Sequence, residues 1–423
     1  MPKSLKISLL AVSVAFILCI FAGVNAHPVA AAGDPAPQDA YKQINVYGEV
    51  LQHIQDDYVE VPNIPKVTNG ALRGLLESLD ADSSYLTPAD FKAYQADRGG
   101  KAQVGINVSK RYGYAIVVSV VPGSPADKAG LGDGDIIEAI GNEDTGNLSL
   151  AMIRMMLEGA PGSQLQLAVV GHRSASSTPQ KMTLTRVLVS EPPVSTAAYN
   201  DNSVLYLKPM IIDHQHVQEV ESHLKAMKKD GATSILLDLR DVSAGDMEEA
   251  VRMANLFIRS GTLASLKGQK YPEQIFSAKP SKAVNTSAPM VVLVNQGTAG
   301  PAELVAGALQ DDGRAQLVGE KTFGEGSLQK TFVLPDGGAV ILSIAKYASP
   351  SGKQFEDAAV TPGTVVPVSS DMLDEYLDES DGAAPANNAT PSGNGGRAEK
   401  TPPPPDDQLK KALEMLKAKS AAA

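Results

Sequence analysis

The chemistry open to this chain is limited first by its nucleophiles. It has a single cysteine, Cys19, among 423 residues. A lone thiol excludes a disulfide scaffold and a zinc site built from cysteine ligands. Cys19 lies inside an apolar N-terminal run of the kind that export removes, so we expect the mature protein to have no thiol. Cysteine-based catalysis is therefore not expected.

Histidines are the next residues that could do chemistry. His214 and His216 follow Asp213, and on a strand two imidazoles at this spacing would share one face. No third ligand cluster accompanies them, whereas zinc sites in proteins use three or four protein ligands. We favour the start of a helix with Asp213 as its N-cap. We predict neither a metal site nor a cofactor.

Length and composition define the class of protein. At roughly 150 residues per domain, the chain is long enough for two or three domains. With 43% hydrophobic and 20% charged residues it can build sizeable cores, which excludes a wholly disordered or fibrous protein. Lys and Arg number 37 against 48 Asp and Glu, a net charge of −11. This acidity matches phosphate backbones poorly, so nucleic-acid binding is not expected.

Residues 1–26 have the pattern of a signal peptide. Lys3 and Lys6 precede an uncharged apolar stretch, and 24–26 (VNA) is a small-residue cleavage site. The alternative is an uncleaved membrane anchor, because the apolar run reaches the ~18 residues at which a helix can span a bilayer. We expect cleavage and an exported protein, periplasmic or otherwise extracytoplasmic, with membrane contact only if the signal is retained.

Composition and hydrophobic periodicity divide the rest of the chain into segments. A helical pattern is followed by short β-like runs between Gly and Asp turns. Alternating strands and helices then predict an α/β unit with a mainly parallel sheet. The predicted segments are 27–40, a flexible leader; 41–98, a helical segment; 99–187, a β-rich unit; 188–368, the α/β unit; 369–407, an acidic and low-complexity linker; and 408–423, a C-terminal helix and tail.

Several motifs occur in one order along the chain. They are 82–88 (DSSYLTP), 121–126 (VPGSPA), 130–135 (GLGDGD), 237–240 (LDLR), 294–299 (VNQGTA), 302–311 (AELVAGALQD), 319–324 (GEKTFG), 326–329 (GSLQ) and 347–352 (YASPSG). With these motifs the sequence resembles the carboxyl-terminal processing peptidases, exported serine peptidases with a PDZ domain and a Ser-Lys dyad, often assisted by a glutamine. The resemblance implies an α/β multidomain fold: a helical N-terminal segment, a circularly permuted PDZ domain over 99–187, an α/β peptidase-type core and a C-terminal helix.

The catalytic positions of that family are substituted here. Where the family pattern has its nucleophilic serine, 297–303 (GTAGPAE) has Gly300, and where it has the lysine base, 322–326 (TFGEG) has Glu325. The spacing agrees with that of the family, so these are substitutions in register, and the assisting glutamine is retained as Gln329. A glycine has no side chain to act as nucleophile, and burial would shift a glutamate towards its protonated acid.

The oxyanion region departs from the family as well. The residue after the nucleophile position is Pro301, which has no N–H to donate, although proline suits the first position of a helix. The loop that the resemblance places opposite is 242–245 (VSAG) instead of Asn-Pro-Gly-Gly, so Ala244 and Gly245 are expected to line this region. Changes at four parts of one site predict a catalytically inactive protein.

An active peptidase with a rebuilt site is the alternative. Thr298, Ser327 and Lys321 are close in sequence to the substituted positions. Acyl transfer, however, needs a nucleophile, a base and oxyanion donors in mutual geometry. The resemblance also explains Thr298 and Lys321 without catalysis, because active family members carry such residues beside their dyad.

The PDZ-like unit predicts peptide binding, since PDZ domains add an extended peptide to a sheet edge. Val104, Gly105 and Ile106 occupy the place of the loop whose N–H groups hold a peptide carboxylate; the alternative is a plain strand start. Glu158 stands where the resemblance leads us to expect an arginine. This reversed charge would weaken carboxylate capture or the contact between the PDZ domain and the core.

We therefore predict an exported pseudoprotease that binds extended or C-terminal peptide segments of exported proteins, or that partners and regulates an active homologue. A homodimer that uses the C-terminal helix is a further candidate assembly. A purely structural envelope component is the other alternative.

Overall fold

The structure is a computed structural model that describes residues 36–96, 102–172, 178–356, 358–367 and 406–422. The predicted signal peptide, most of the predicted leader and nearly all of the predicted linker lie outside these residues. The chain forms two compact parts, one ending at Gly70 and the other beginning at Ala71. The second part contains both the β-rich unit and the α/β unit. Within the described residues, no helix is long and apolar enough to cross a membrane.

Helices and strands alternate along most of the described chain. The helices are α1 Ala36–Asp57, α2 Ile64–Glu77, α3 Pro88–Gln95, α4 Pro125–Lys128, α5 Leu150–Leu157, α6 His214–Ala226, α7 Met247–Phe257, α8 Pro301–Asp311 and α9 Asp407–Ala422. The strands are β1 Ser84–Leu86, β2 Ile106–Arg111, β3 Tyr114–Val120, β4 Ile136–Ile140, β5 Glu143–Asp144, β6 Gln164–Val170, β7 Gln180–Thr185, β8 Ser195–Tyr199, β9 Val204–Lys208, β10 Ser234–Asp238, β11 Thr262–Lys267, β12 Gln274–Ser277, β13 Met290–Val294, β14 Gln316–Gly319, β15 Ser327–Val333, β16 Ala339–Ala348 and β17 Thr364–Val365.

The first helix begins earlier than the sequence predicts. α1 starts at Ala36, inside the stretch 27–40 that is predicted to be a flexible leader, so that prediction is wrong for its last residues. Pro37 does not prevent this start, because a proline in the first turn lacks only an N–H that has no helical partner there.

The β-rich unit agrees with the PDZ domain that the resemblance implies. Its antiparallel sheet has the strand order β2-β3-β4-β6-β7, with β5 paired to β4. Val117, Ile137 and Leu167 of the sheet pack with Ile153 of α5 in one buried core. The strand β2 is one of the two edge strands of this sheet, and β7 is the other.

The α/β unit contains the mainly parallel sheet that the sequence predicts. Its order is β17-β14-β13-β10-β9-β8, and only the pair β8–β9 is antiparallel. Leu237 and Val292 belong to the core shared with α7 and α8. Their neighbours Leu236 and Val291 point to the opposite face, where α9 packs. Both faces are covered, which explains why β10 and β13 are buried along their length.

A second, antiparallel sheet combines strands of the α/β unit with β1, which lies in the stretch 41–98 that is predicted to be helical. Its order is β1-β16-β11-β12, with β15 also paired to β16. The sequence predicts a strand over 339–345, which falls in β16, but none at β1, β11, β12 or β15. From Gln329 onwards β15 is exposed, so it lacks the apolar alternation that marks a half-buried strand.

Arg240 in the LDLR motif holds the C-terminal helix in place. Arg240 Nη2 lies 2.6 Å from Oδ2 of the fully buried Asp238, and its Nη1 donates to Asp406 Oδ1 at 2.9 Å. Asp406 directly precedes α9. Arg240 therefore connects the buried Asp238 at the end of β10 with the partly exposed Asp406 at the start of the last helix.

Candidate functional site

The turn between β13 and α8 contains Gly300. Its φ of 52° and ψ of −113° lie where residues with a Cβ are strained. A strained strand-to-helix turn of this kind is what exposes the nucleophile in many serine hydrolases. A Cβ placed on Gly300 would have Ser243 O, at 3.9 Å, as its nearest neighbour. The turn has space for a side chain that this sequence does not supply.

A buried carboxylate ties this turn to the loop before β15. Glu303 Oε2 accepts the N–H of Gly300 at 3.0 Å and that of Glu325 at 2.8 Å. Its Oε1 accepts the N–H of Gly324 at 2.8 Å and the hydroxyl of Thr322. Burial raises the pKa of Glu303 to about 8, although these four donors favour its ionised form.

Glu325 is paired with a cation from the PDZ-like unit. Arg154 on α5 donates from Nη2 to Glu325 Oε1 at 3.2 Å and from Nη1 to Asp82 Oδ1 at 3.4 Å. Burial raises the pKa of Glu325 against the opposing charge of Arg154, and the nearby Asp82 raises it further. Two carboxylates thus share one guanidinium.

Gln329 and Ser327 lie in the same cluster. Gln329 Nε2 donates to Ser327 Oγ at 2.7 Å, and Ser327 Oγ donates to Asp82 Oδ2 at 3.1 Å. Gln329 also donates to the carbonyl of Ser327 at 3.2 Å. Ser343 Oγ also donates to Ser327 Oγ at 3.4 Å, so the hydroxyl of Ser327 is held between two donors and one acceptor.

Thr298 and Lys321 have different surroundings. Thr298 is fully buried, and its Oγ1 donates to Leu239 O at 2.8 Å while it accepts the N–H of Asn295 at 3.0 Å. This hydroxyl connects two loops at the carboxyl ends of parallel strands. Lys321 is exposed and lines a surface cavity beside Phe323. Neither residue is placed with the Ser327 cluster.

The loop 242–245 has a fixed backbone. The N–H of Ile212 donates to Ala244 O at 3.0 Å, and the N–H of Asp246 donates to Ile212 O at 2.9 Å. Gly245 has a φ of 134°, and a Cβ at this position would lie 2.2 Å from Ile212 O. Only glycine fits here, which accounts for this residue without reference to catalysis.

The PDZ-like unit lies directly over this region. Ser119 Oγ on β3 is 2.6 Å from Ser243 Oγ, and Val118 packs against Phe323. Arg111 on β2 lies over the Phe323 ring, 3.9 Å from its centre, and donates to the Phe323 carbonyl. These contacts cover the loop and the turn, and Gly300 is buried beneath them.

The predicted carboxylate-binding loop is at the start of β2. Val104, Gly105 and Ile106 are all buried. The Gly105 carbonyl accepts the N–H of Val121 at 2.9 Å, and a Cβ on Gly105 would lie 2.2 Å from Ser124 Cβ. The glycine allows the chain to turn tightly into β2.

Glu158 is at the end of α5, close to the Ser327 cluster. With Asp82, Arg154 and Gln329 it lines a cavity of about 390 Å³. The position where an arginine was expected is thus next to the positions of the substituted base and the retained glutamine.

The histidine motif begins a helix, as predicted. Asp213 caps α6 by accepting the N–H of His216 at 2.9 Å. The His216 ring places Nδ1 2.7 Å from Asp213 Oδ1 and Nε2 2.9 Å from Pro192 O. Burial lowers the pKa of His216, but these two acceptors raise it above its ordinary value overall. No group of three His, Cys, Asp or Glu suited to a metal occurs in the described part of the chain.

Sequence reasoning missed Asp82, Arg154, Ser119 and Glu303 as parts of this region. Asp82 and Glu303 lie in motifs that were noted, but the motifs alone do not show what these carboxylates contact. One feature of the sequence could have pointed to Arg154: it is the only charged residue in the otherwise apolar α5 (LAMIRMML). Its contacts come from elements far apart in sequence.

Comparison with known proteins identifies the family. Residues 203–366 match peptidase family S41, and residues 116–171 match a PDZ domain. The carboxyl-terminal-processing protease of Synechocystis sp. is 33% identical over 322 residues, which cover 74% of each chain. This chain belongs to the carboxyl-terminal processing peptidase family.

Further relatives agree with this assignment. Carboxyl-terminal-processing peptidase 2, chloroplastic, of Arabidopsis thaliana is 31% identical over 326 residues, 73% of this chain. The match spans 62% of that relative's length, less than two thirds. The solved structure of the photosystem II D1 C-terminal processing protease has a TM-score of 0.62 and 25% identity, over 76% of this chain and 92% of its own. The fold expected of a carboxyl-terminal processing peptidase, with its helical N-terminal segment, PDZ domain, α/β core and C-terminal helix, is confirmed.

Proposed function

We propose that this member of the carboxyl-terminal processing peptidase family is an exported pseudoprotease, which binds peptide segments and does not cleave them. The turn between β13 and α8 carries the proposal. Gly300 offers no nucleophile there, and Pro301 offers no N–H to an oxyanion.

Each missing group removes a separate part of the chemistry. Acyl transfer by a serine needs a hydroxyl activated by a base within hydrogen-bond reach. At the base position Glu325 replaces the lysine and is paired with Arg154 at 3.2 Å. Residue 300 has no hydroxyl that this carboxylate could activate. The N–H that Pro301 lacks would contribute roughly 2.7–4 kcal/mol to the transition state. No single substitution restores all three.

An active enzyme with a rebuilt site is the second candidate, and Ser327 is the observation that favours it. Its hydroxyl donates to the Asp82 carboxylate at 3.1 Å, as a nucleophile donates to its base. The nearest side-chain amide, that of Gln329, donates to Ser327 Oγ itself rather than towards a site beside it where an oxyanion would form. We therefore favour the inactive form.

Peptide binding is assigned to the free edge of β2. Val117, which pairs with Val108, donates its N–H to Asp135 O at 2.8 Å and accepts the N–H of Gly134 at 2.8 Å. Both of its backbone groups are used on the β4 side, so Val108 and Val117 form a non-hydrogen-bonded pair. The N–H and C=O of Val108 then point to the outer edge, where an added peptide strand would bond.

Export is proposed from the signal pattern in residues 1–26. An exported peptide-binding protein would meet unfolded or C-terminal segments of other exported proteins. A second copy of this chain or an active homologue is the proposed protein partner.

A cleavage assay with two matched variants tests the proposal. The purified protein is incubated with an unfolded polypeptide such as casein, and the products are followed by mass spectrometry. We expect no cleavage. Cleavage that disappears in Ser327→Ala or Thr298→Ala would show an active rebuilt site, whereas cleavage unaffected by both substitutions would come from a contaminating peptidase.

A further inference from the structure

The Arg154 guanidinium contacts both β2, the strand to which a peptide is proposed to add, and Glu325, which stands at the position of the family's lysine. Arg154 donates to Val108 O from Nε at 3.4 Å and from Nη2 at 3.2 Å. The same Nη2 donates to Glu325 Oε1. Because the Val108 carbonyl points to the free edge, Arg154 occupies the acceptor that a peptide N–H would use.

We propose that Arg154 controls peptide binding, and that Glu325 and Asp82 hold it across the edge of β2. An extended peptide adds to β2 when Arg154 leaves the Val108 carbonyl and a peptide N–H replaces it. This inference rests on the proposed peptide binding by the PDZ domain and states how that binding is restricted.

The exposure of the three charged side chains shows which contacts oppose the movement of Arg154 away from the Val108 carbonyl. The Arg154 side chain is 46% exposed, so solvent is open to it on one side. The side chains of Glu325 and Asp82 are 25% and 5% exposed. Asp82 would keep its bond from Ser327, but both carboxylates would lose their shared cation. Release of Arg154 is therefore opposed mainly by these two ion pairs.

The residue type at position 325 decides whether it attracts or repels Arg154. The resemblance places a lysine at this position in active relatives, and a lysine beside Arg154 would repel the guanidinium. Glu325 attracts it. The substitution that removes a base thus also creates the contact that covers the peptide edge.

Hydrogen exchange of the unliganded protein tests whether the Arg154–Glu325 ion pair restrains β2 and α5. In Glu325→Gln we expect faster exchange than in the wild type across Ile106–Arg111 and Leu150–Leu157, because the ion pair no longer holds α5 against the core. Glu273→Gln is the matched control. Glu273 is an exposed carboxylate next to β12, and its Oε2 lies 3.9 Å from Lys267 Nζ. Equal exchange in all three proteins would overturn the inference.

Peptide affinity is the second readout. A fixed pool of fluorescent, unstructured ten-residue peptides with free C-termini is titrated against each protein, and anisotropy is recorded. For a partly exposed ion pair we expect Glu325→Gln to bind about fivefold more tightly than the wild type, and Glu273→Gln to match the wild type. In an Arg154→Gln background, Glu325→Gln should have no further effect.

The outcomes separate this inference from the function on which it rests. Equal affinity of the wild type and Glu325→Gln would leave peptide binding intact and overturn the role of Arg154. Failure of every protein to bind the pool would count against peptide binding by the PDZ domain, and the exchange experiment would then decide the Arg154 contact alone.

Discussion

Glu303 Oε2 accepts the backbone N–H of Gly300 at 3.0 Å and that of Glu325 at 2.8 Å. One buried carboxylate therefore fixes the backbone at both positions where the resemblance places a catalytic serine and lysine. The support for these positions does not depend on their side chains. This explains how a chain can retain the family fold around a site without reactive groups.

Restoring the two side chains should not restore full activity. Gly300→Ser with Glu325→Lys still has Pro301 in place of an N–H donor, and the new lysine faces Arg154. Adding Pro301→Ala should raise the cleavage rate over the double variant by about 10²–10³, the usual effect of one oxyanion donor. The rate is measured on an unfolded polypeptide, with each single variant as a control. A double variant as fast as the triple variant would contradict this account of the turn.

Glu303 should make the fold less stable as the pH rises. Burial raises the pKa of Glu303 to about 8 in the folded protein, against 4.5 for a glutamate in the unfolded chain. Between these values the unfolded chain releases a proton that the folded protein keeps, so the free energy of unfolding falls from about pH 4.5 to about pH 8. Glu303→Gln should flatten this part of the profile in urea unfolding. An unchanged slope in the variant would rule out Glu303 as its source.

His216 should stabilise the fold in its protonated form. Asp213 and Pro192 accept from its two ring nitrogens, and its pKa is raised above 6.5. The stability that it contributes is complete below pH 6.5 and is lost as the pH rises through the raised value. An NMR titration of the ring reports that value. Unfolding of His216→Gln should lose this dependence, whereas the exposed His53→Gln should keep it.

Gly245 should tolerate no side chain. In Gly245→Ala the new methyl group would lie 2.2 Å from Ile212 O, at a φ of 134°, and we expect a loss of roughly 2–4 kcal/mol in the free energy of unfolding. Gly363→Ala is the matched control, because a Cβ there has no neighbour within 4 Å. It should change stability by no more than about 0.5 kcal/mol. Equal effects of the two substitutions would show that the loop relaxes.

Sequence alone predicted the parts of the molecule that have a strong local signal. The buried strand β13 is a continuous apolar run, β10 has three apolar residues between Ser234 and Asp238, and Pro301 after Gly300 marks the start of α8. The strands β12 and β15 are exposed along most of their length, so the pairing of β12 with β11 and of β15 with β16 is set by tertiary contacts. The link from Val108 through Arg154 to Glu325 joins residues more than two hundred positions apart along the chain, and no local pattern reports such a contact.

The central claim is that this protein holds peptides without cutting them. Its most direct test is to incubate the intact protein with the fluorescent peptide pool, separate the complex and determine the mass of every bound peptide. The account predicts saturable retention of peptides at full length after prolonged incubation. Recovery of shortened peptides, in amounts that grow with time and depend on Ser327, would contradict it.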